Sequence, residues 1–99
     1  MYGLSERSYQ ELIEILKSVP EIDEAVIYGS RARGDYWCAS DIDLSLKGDR
    51  LNNHSMRILN DRLYESHIPY FFDTHIFDNI QNPKLRSNIL RDGKLLFRR

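Results

Sequence analysis

Ala25-Val26-Ile27-Tyr28-Gly29-Ser30-Arg31-Ala32-Arg33-Gly34 and, after six intervening residues, Asp41-Ile42-Asp43-Leu44-Ser45-Leu46-Lys47 decide how this sequence folds. The first stretch is a short apolar run that stops at a glycine, the pattern of a buried strand. The second alternates strictly between polar and apolar residues, so Asp41, Asp43, Ser45 and Lys47 share one face of a strand and Ile42, Leu44 and Leu46 the other. Between them, residues 34 to 40 carry Gly34, Asp35 and Ser40 with no helical period. A glycine at position 29 lets main-chain amides approach a ligand closely. Ser30 to Gly34 is long enough for one helical turn whose amides point at an anion. The Ser30 hydroxyl adds a donor there, and Arg31 and Arg33 add positive charge, so either arginine is a candidate contact for phosphate.

Asp41 and Asp43 stand side by side on their strand face. Like charges so placed each favour protonation unless a cation lies between them. Magnesium meets that need, because it takes oxygen ligands and combines one or two carboxylates with water and substrate phosphates. Taken separately, each pattern has a plainer explanation: a half-exposed strand with solvated aspartates, and a turn glycine with surface arginines. The turn is neither the phosphate loop that ends in Gly-Lys-Ser or Gly-Lys-Thr nor Gly-x-Gly-x-x-Gly, which disfavours ATPase chemistry of the first kind and dinucleotide binding.

Outward from this centre, Tyr9, Leu12, Ile13, Leu16 and Val19 predict a helix over 8 to 19, with Ser8 and Glu11 as its capping box and Pro20 as its stop. Leu51 to Glu65 has a weaker helical pattern after the Gly48-Asp49 turn. Tyr70 to Phe77 reads as a third strand between Pro69 and Asp78-Asn79. Asn82 and Pro83 open a last helix, which Gly93 closes, with Leu85, Ile89 and Leu90 facing inward. Leu95 to Phe97 forms a short fourth strand. The fold class expected is α/β (α+β), a small mixed β-sheet of about four strands backed by helices.

The 99 residues predict a single domain, 1–99, with an open cleft rather than an enclosed cavity. Fourteen basic against fifteen acidic residues give a net charge of −1, so no global field draws the chain to nucleic acid or to a membrane. The single cysteine, Cys38, excludes an internal disulfide and a zinc site needing two cysteines. No apolar run approaches the roughly 18 residues of a membrane span, and no basic segment precedes an apolar one at the start. A cytoplasmic location is expected. His54, His67 and His75 lack metal-ligand spacing; His75, two residues from Asp73, is the one that can share its face. Tyr36, Trp37 and Cys38 lie in the loop between the two central stretches, where packing or stacking on a base both fit an aromatic.

Gly29-Ser30, ten intervening residues and Asp41-Ile42-Asp43 resemble the signature of the DNA polymerase β-like nucleotidyltransferase superfamily. With its preceding apolar strand and short length, the chain looks most like the minimal nucleotidyltransferases, including the MNT antitoxins encoded beside HEPN-domain toxins. The closing pattern from Asn82-Pro83 to Gly93-Lys94 is also similar. The resemblance implies a polymerase β palm-like fold and a third carboxylate from a later strand, for which Asp73 is the best match and Asp78 the weaker one. Asp73 lies among Phe71, Phe72 and Phe77, and a metal or hydrogen bonds would offset its desolvation if it were buried there.

The same resemblance implies chemistry with two Mg2+ ions and ATP as nucleotide donor. Asp41 and Asp43 would bridge the metals, and Asp73 would hold the acceptor-side ion. Gly29, Ser30 and Arg33 would bind the nucleotide, with Ser30 and its neighbouring amides on the leaving pyrophosphate. AMP would pass to a hydroxyl, within the antitoxin branch to a tyrosine of a HEPN-domain partner. Larger relatives carry domains that bind the acceptor, so here another subunit would complete that site in a homo- or hetero-oligomer. Two other functions fit the same residues: a noncatalytic antitoxin that keeps the fold and acts by occlusion, and a nucleotidyltransferase of small molecules.

Overall fold

The apolar alternation in the central stretches builds the two middle strands of the sheet, and the remaining elements cover them. The computed structural model describes all of Met1–Arg99. In chain order it contains α1 (Glu6–Lys17), β1 (Glu24–Tyr28), α2 (Ser30–Arg33), β2 (Ile42–Lys47), α3 (Asn53–Tyr64), β3 (Phe72–Ile76), a 3-10 turn (Phe77–Asn79), α4 (Pro83–Asp92) and β4 (Lys94–Arg98). The strands lie in the order β3-β2-β1-β4. β1 is antiparallel to both β2 and β4, whereas β2 and β3 are parallel. A parallel pair needs a crossover, and α3 supplies it. The result is the mixed four-stranded sheet backed by helices that the patterning predicts.

One face of the sheet carries the main core. Ala25 and Ile27 of β1 and Ile42, Leu44 and Leu46 of β2 are fully buried together with Leu12 and Leu16 of α1 and Leu59 of α3. Each of the leucine and isoleucine side chains among them contributes about 1.5 to 3 kcal/mol when removed from water. The other face is covered only in part, where Ile89 of α4 meets Tyr28 and Phe77 in a small second cluster. That partial cover buries Ser45 of β2 but leaves Asp43 of β2 and Asp73 and His75 of β3 accessible.

Several boundaries differ from expectation, each for a local reason. Helix α1 starts earlier: Ser5 is the cap, its hydroxyl accepting from the Ser8 amide at 3.1 Å, so Ser8 sits inside the first turn and no Ser8-Glu11 capping box forms. Helix α3 begins at Asn53 because Asn52 and Ser55 form a reciprocal capping box. Strand β2 begins at Ile42, which puts Asp41 on the exposed chain just before the ladder. Asn82 and Pro83 open α4 as the sequence predicts, and Gly93 follows it. Leu90 does not face inward and is 71% exposed. Neighbouring helical residues point about 100° apart, so a helix that commits Ile89 to Tyr28 and Phe77 turns position 90 away. None of the helices is long and apolar enough to cross a membrane.

Candidate active site

Strand register brings the predicted carboxylates together. Asp43 pairs with Tyr28 on one side and with Asp73 on the other, so two aspartates from different strands stand abreast on the incompletely covered face. Asp41 precedes Asp43 by two residues and completes the acidic group from solvent-exposed chain. Burial, then the charges of Asp73 and Asp41, push the Asp43 carboxyl above its ordinary range, while His75 and Arg33 partly offset them. Burial and the same two strand carboxylates push the Tyr28 phenol up to about 12, so Tyr28 is a neutral wall of the site.

Gly29 makes this closeness feasible. Its φ of 74° lies in the left-handed region, and a Cβ there would collide with Oδ2 of Asp43. The chain then turns at once into α2. The amides of Ala32 and Arg33 bond to the Gly29 carbonyl at 3.1 Å each, and those of Gly34 and Asp35 to the Ser30 carbonyl at 2.9 and 3.1 Å. The amides of Ser30 and Arg31 come before these bonds, as at any helix start, and lie beside Asp43 through Gly29. This is the single turn expected from Ser30 to Gly34.

The two arginines part company. Arg31, a candidate for phosphate, is instead buried, at 2% exposure. Its guanidinium donates to the Ser40 carbonyl at 3.0 and 2.8 Å and to the Tyr2 carbonyl at 2.9 Å, and it lies over the rings of Tyr70 and Tyr36. It therefore ties the loop before Asp41 to the N-terminal segment and cannot reach a ligand. Arg33 remains on the surface with Asp35 at 3.3 Å and Asp92 at 3.9 Å, and its charge reaches Asp43.

Asp73 is not buried among aromatics: its side chain is 56% exposed, and Phe71 is itself on the surface. Strand alternation turns Phe72 into the core and Asp73 outward, so the desolvation argument for this residue does not apply. His75, on the same face, places Nε2 3.0 Å from Oδ1 of Asp73. Asp78 is exposed in the 3-10 turn that follows β3, outside the strand ladder that sets Asp43 beside Asp73. His54 and His67 are surface residues, His67 beside Glu11. Tyr36, Trp37 and Cys38 are exposed in their loop.

As arranged, no three His, Cys, Asp or Glu side chains converge to hold one ion. The donor set nevertheless suits a hard divalent cation: it offers oxygen ligands, and its charge conflict at Asp43 is one that a cation relieves. Asp41 lies on exposed chain with no side-chain hydrogen bond, and Asp73 has one half-exposed partner, His75.

A family model described as polymerase beta, nucleotidyltransferase, matches residues 10–99. The chain belongs to this nucleotidyltransferase family. No curated protein sequence matches it significantly. Among solved structures, this nucleotidyltransferase chain is similar to a chain of a toxin-antitoxin crystallised with AMP-PNP, with a TM-score of 0.75 at 20% identity over 92% of this chain and 73% of that one. It is also similar to a chain of the tri-AMPylated Shewanella oneidensis HEPN toxin in complex with MNT antitoxin, with a TM-score of 0.71 at 17% identity over 97% and 74%. A chain of the MntA-HepT toxin-antitoxin gives 0.69 at 18% identity over 96% and 74%. At these identities the likeness establishes the nucleotidyltransferase fold.

Proposed function

We propose that this protein transfers AMP from ATP to a hydroxyl of a protein partner of the HEPN class, and so serves as the antitoxin of a toxin-antitoxin pair in the cytoplasm. The observation that carries the reading is the position of Asp43, abreast of Asp73 and packed against Gly29 at the start of the Ser30 turn. Acidic ligands for a cation thus adjoin a main-chain turn suited to phosphate. Magnesium held by Asp41, Asp43 and Asp73 would neutralise the carboxylates and polarise the phosphoryl group. Ser30, with its own amide and that of Arg31, holds the β- and γ-phosphates, and Arg33 adds charge at the rim. The acceptor oxygen bonds to the α-phosphorus, the bond to the bridging oxygen breaks, pyrophosphate departs with the electron pair, and the acceptor proton passes to Asp73. Positioning and electrostatics carry such a reaction, so no covalent protein nucleophile is needed.

The solved relatives support the nucleotide and the partner class, since their complexes include AMP-PNP in one case and an AMPylated HEPN toxin in another. Occlusion without catalysis is the second reading, in which the chain keeps the nucleotidyltransferase fold and acts by binding alone. Intact-mass measurement of a HEPN partner after incubation with this protein, ATP and magnesium tests both. AMP-sized additions to the partner are expected; a neutralised partner of unchanged mass would assign the function to occlusion.

A further inference from the structure

A groove of about 410 Å3 runs along β3 and opens beside the carboxylates, since His75, which contacts Asp73, forms part of its wall. Its lining holds five carboxamides, Asn53, Asn60, Asn79, Gln81 and Asn82, and no Lys, Arg, Asp or Glu. Asn60 accepts from Thr74 and Asn82 caps α4 through their oxygens only, while Asn53, Asn79 and Gln81 make no side-chain hydrogen bond. All five amino groups are therefore uncommitted donors.

The strand that floors this groove is at the edge of the sheet. The Ile42 amide donates to the Phe71 carbonyl at 2.9 Å, which sets the phase of the parallel ladder. Residues 71, 73 and 75 turn their main chain toward β2. Phe72, Thr74 and Ile76 turn their amides and carbonyls outward, and Thr74 and Ile76 line the groove. A row of free main-chain groups flanked by free carboxamides is complementary to another main chain. A triphosphate, by contrast, needs cations that this lining lacks.

We propose that the acceptor binds here as an extended peptide strand added to the free edge of β3, which brings a hydroxyl-bearing side chain over the edge to Asp73. This inference rests on the transfer reading above for its chemistry, but the docking itself is separate from it. Main-chain pairing gives such sites affinity with tolerance of sequence, and the apolar part of the groove, from Met56, Ile80 and Leu85, receives an alternate side chain. The carboxamides fix the strand's register by donating to its carbonyls.

The probe is a capped decapeptide of alternating threonine and valine around a central tyrosine, added to the intact protein with magnesium and AMP-PNP. Amide hydrogen exchange is followed residue by residue. The expected result is slowing of exchange at Thr74 and Ile76 by about tenfold or more, lost when alternate peptide amides are N-methylated. Substituting Thr74→Pro, which removes an outward amide and leaves the inward-facing groups of the β2 ladder in place, should abolish the protection at Ile76. The exposed pair Asn79→Ala with Gln81→Ala should weaken it without disturbing the fold.

With ATP in place of the analogue, the tyrosine of the bound peptide should be adenylylated. Modification of the tyrosine with no protection at Thr74 and Ile76, or equal modification of the N-methylated peptide, would overturn the docking site while leaving the reaction intact. Protection without transfer from ATP to any acceptor would support the docking site and overturn the reaction.

Discussion

Gly29 and Asp43 define the site at the scale of single residues. Any side chain at position 29 must adopt a left-handed backbone and displace the Asp43 carboxylate. Gly29→Ala should therefore lose about 1 to 3 kcal/mol of stability, seen in chemical denaturation, together with transfer activity. Asp43 makes the opposite trade. Its native carboxyl titrates above the ordinary aspartate value of 3.8, mainly through burial and then Asp73. Folding thus favours the protonated form, and this stabilisation is complete below the unfolded value and lost as pH rises through the raised native one. Asp43→Asn keeps a neutral side chain at every pH. At neutral pH it should be more stable than the natural protein, by less than about 1 kcal/mol because water screens a half-exposed position, and inactive. The difference should close as pH falls toward 3.8. Thermal melts of both proteins across that range check the sign.

At the scale of elements, the loop from Asp35 to Ser40 connects the phosphate turn to the carboxylate strand, and Arg31 holds it. A lysine in its place has one compact ammonium for three carbonyl bonds and two aromatic faces. Arg31→Lys should cost about 2 to 4 kcal/mol, measured by denaturation, and should impair transfer by releasing Asp41. The strands and helices themselves were largely legible. Apolar alternation at Ile42, Leu44 and Leu46 and the three-and-four spacing at Leu12 and Leu16 correspond to side chains that are fully buried. Cap choice was less legible, because Ser5 and Ser8 are chemically equivalent candidates and only the backbone path decides between them. Arg31 was illegible for a different reason: its carbonyl partners, at Tyr2 and Ser40, belong to distant or irregular chain and leave no side-chain pattern. The same limit applied to Leu90, whose orientation depends on how α4 crosses the sheet.

For the whole molecule, the sheet order gathers a turn, two strands and an exposed segment at one end of a face that α4 leaves partly open. Asp41 and Asp43 were readable as a pair from spacing alone. The approach of Asp73 required the parallel β2-β3 register, which no local pattern encodes, and its exposure contradicts the burial inferred from its aromatic neighbours. A cation binding at this acidic group should stabilise the folded chain by about 2.7 kcal/mol at a hundredfold excess over its dissociation constant. That gain should disappear on chelation and be absent in the double variant Asp41→Asn with Asp43→Asn.

The central claim is the transfer of a nucleotide by these carboxylates. The most direct measurement incubates the protein and a HEPN partner with magnesium and ATP labelled at either the α- or the γ-phosphate. Label from the α-position should appear on the partner and label from the γ-position should not, with no transfer by the Asp41→Asn, Asp43→Asn double variant. Labelling from the γ-position, or undiminished α-labelling by the double variant, would contradict the account.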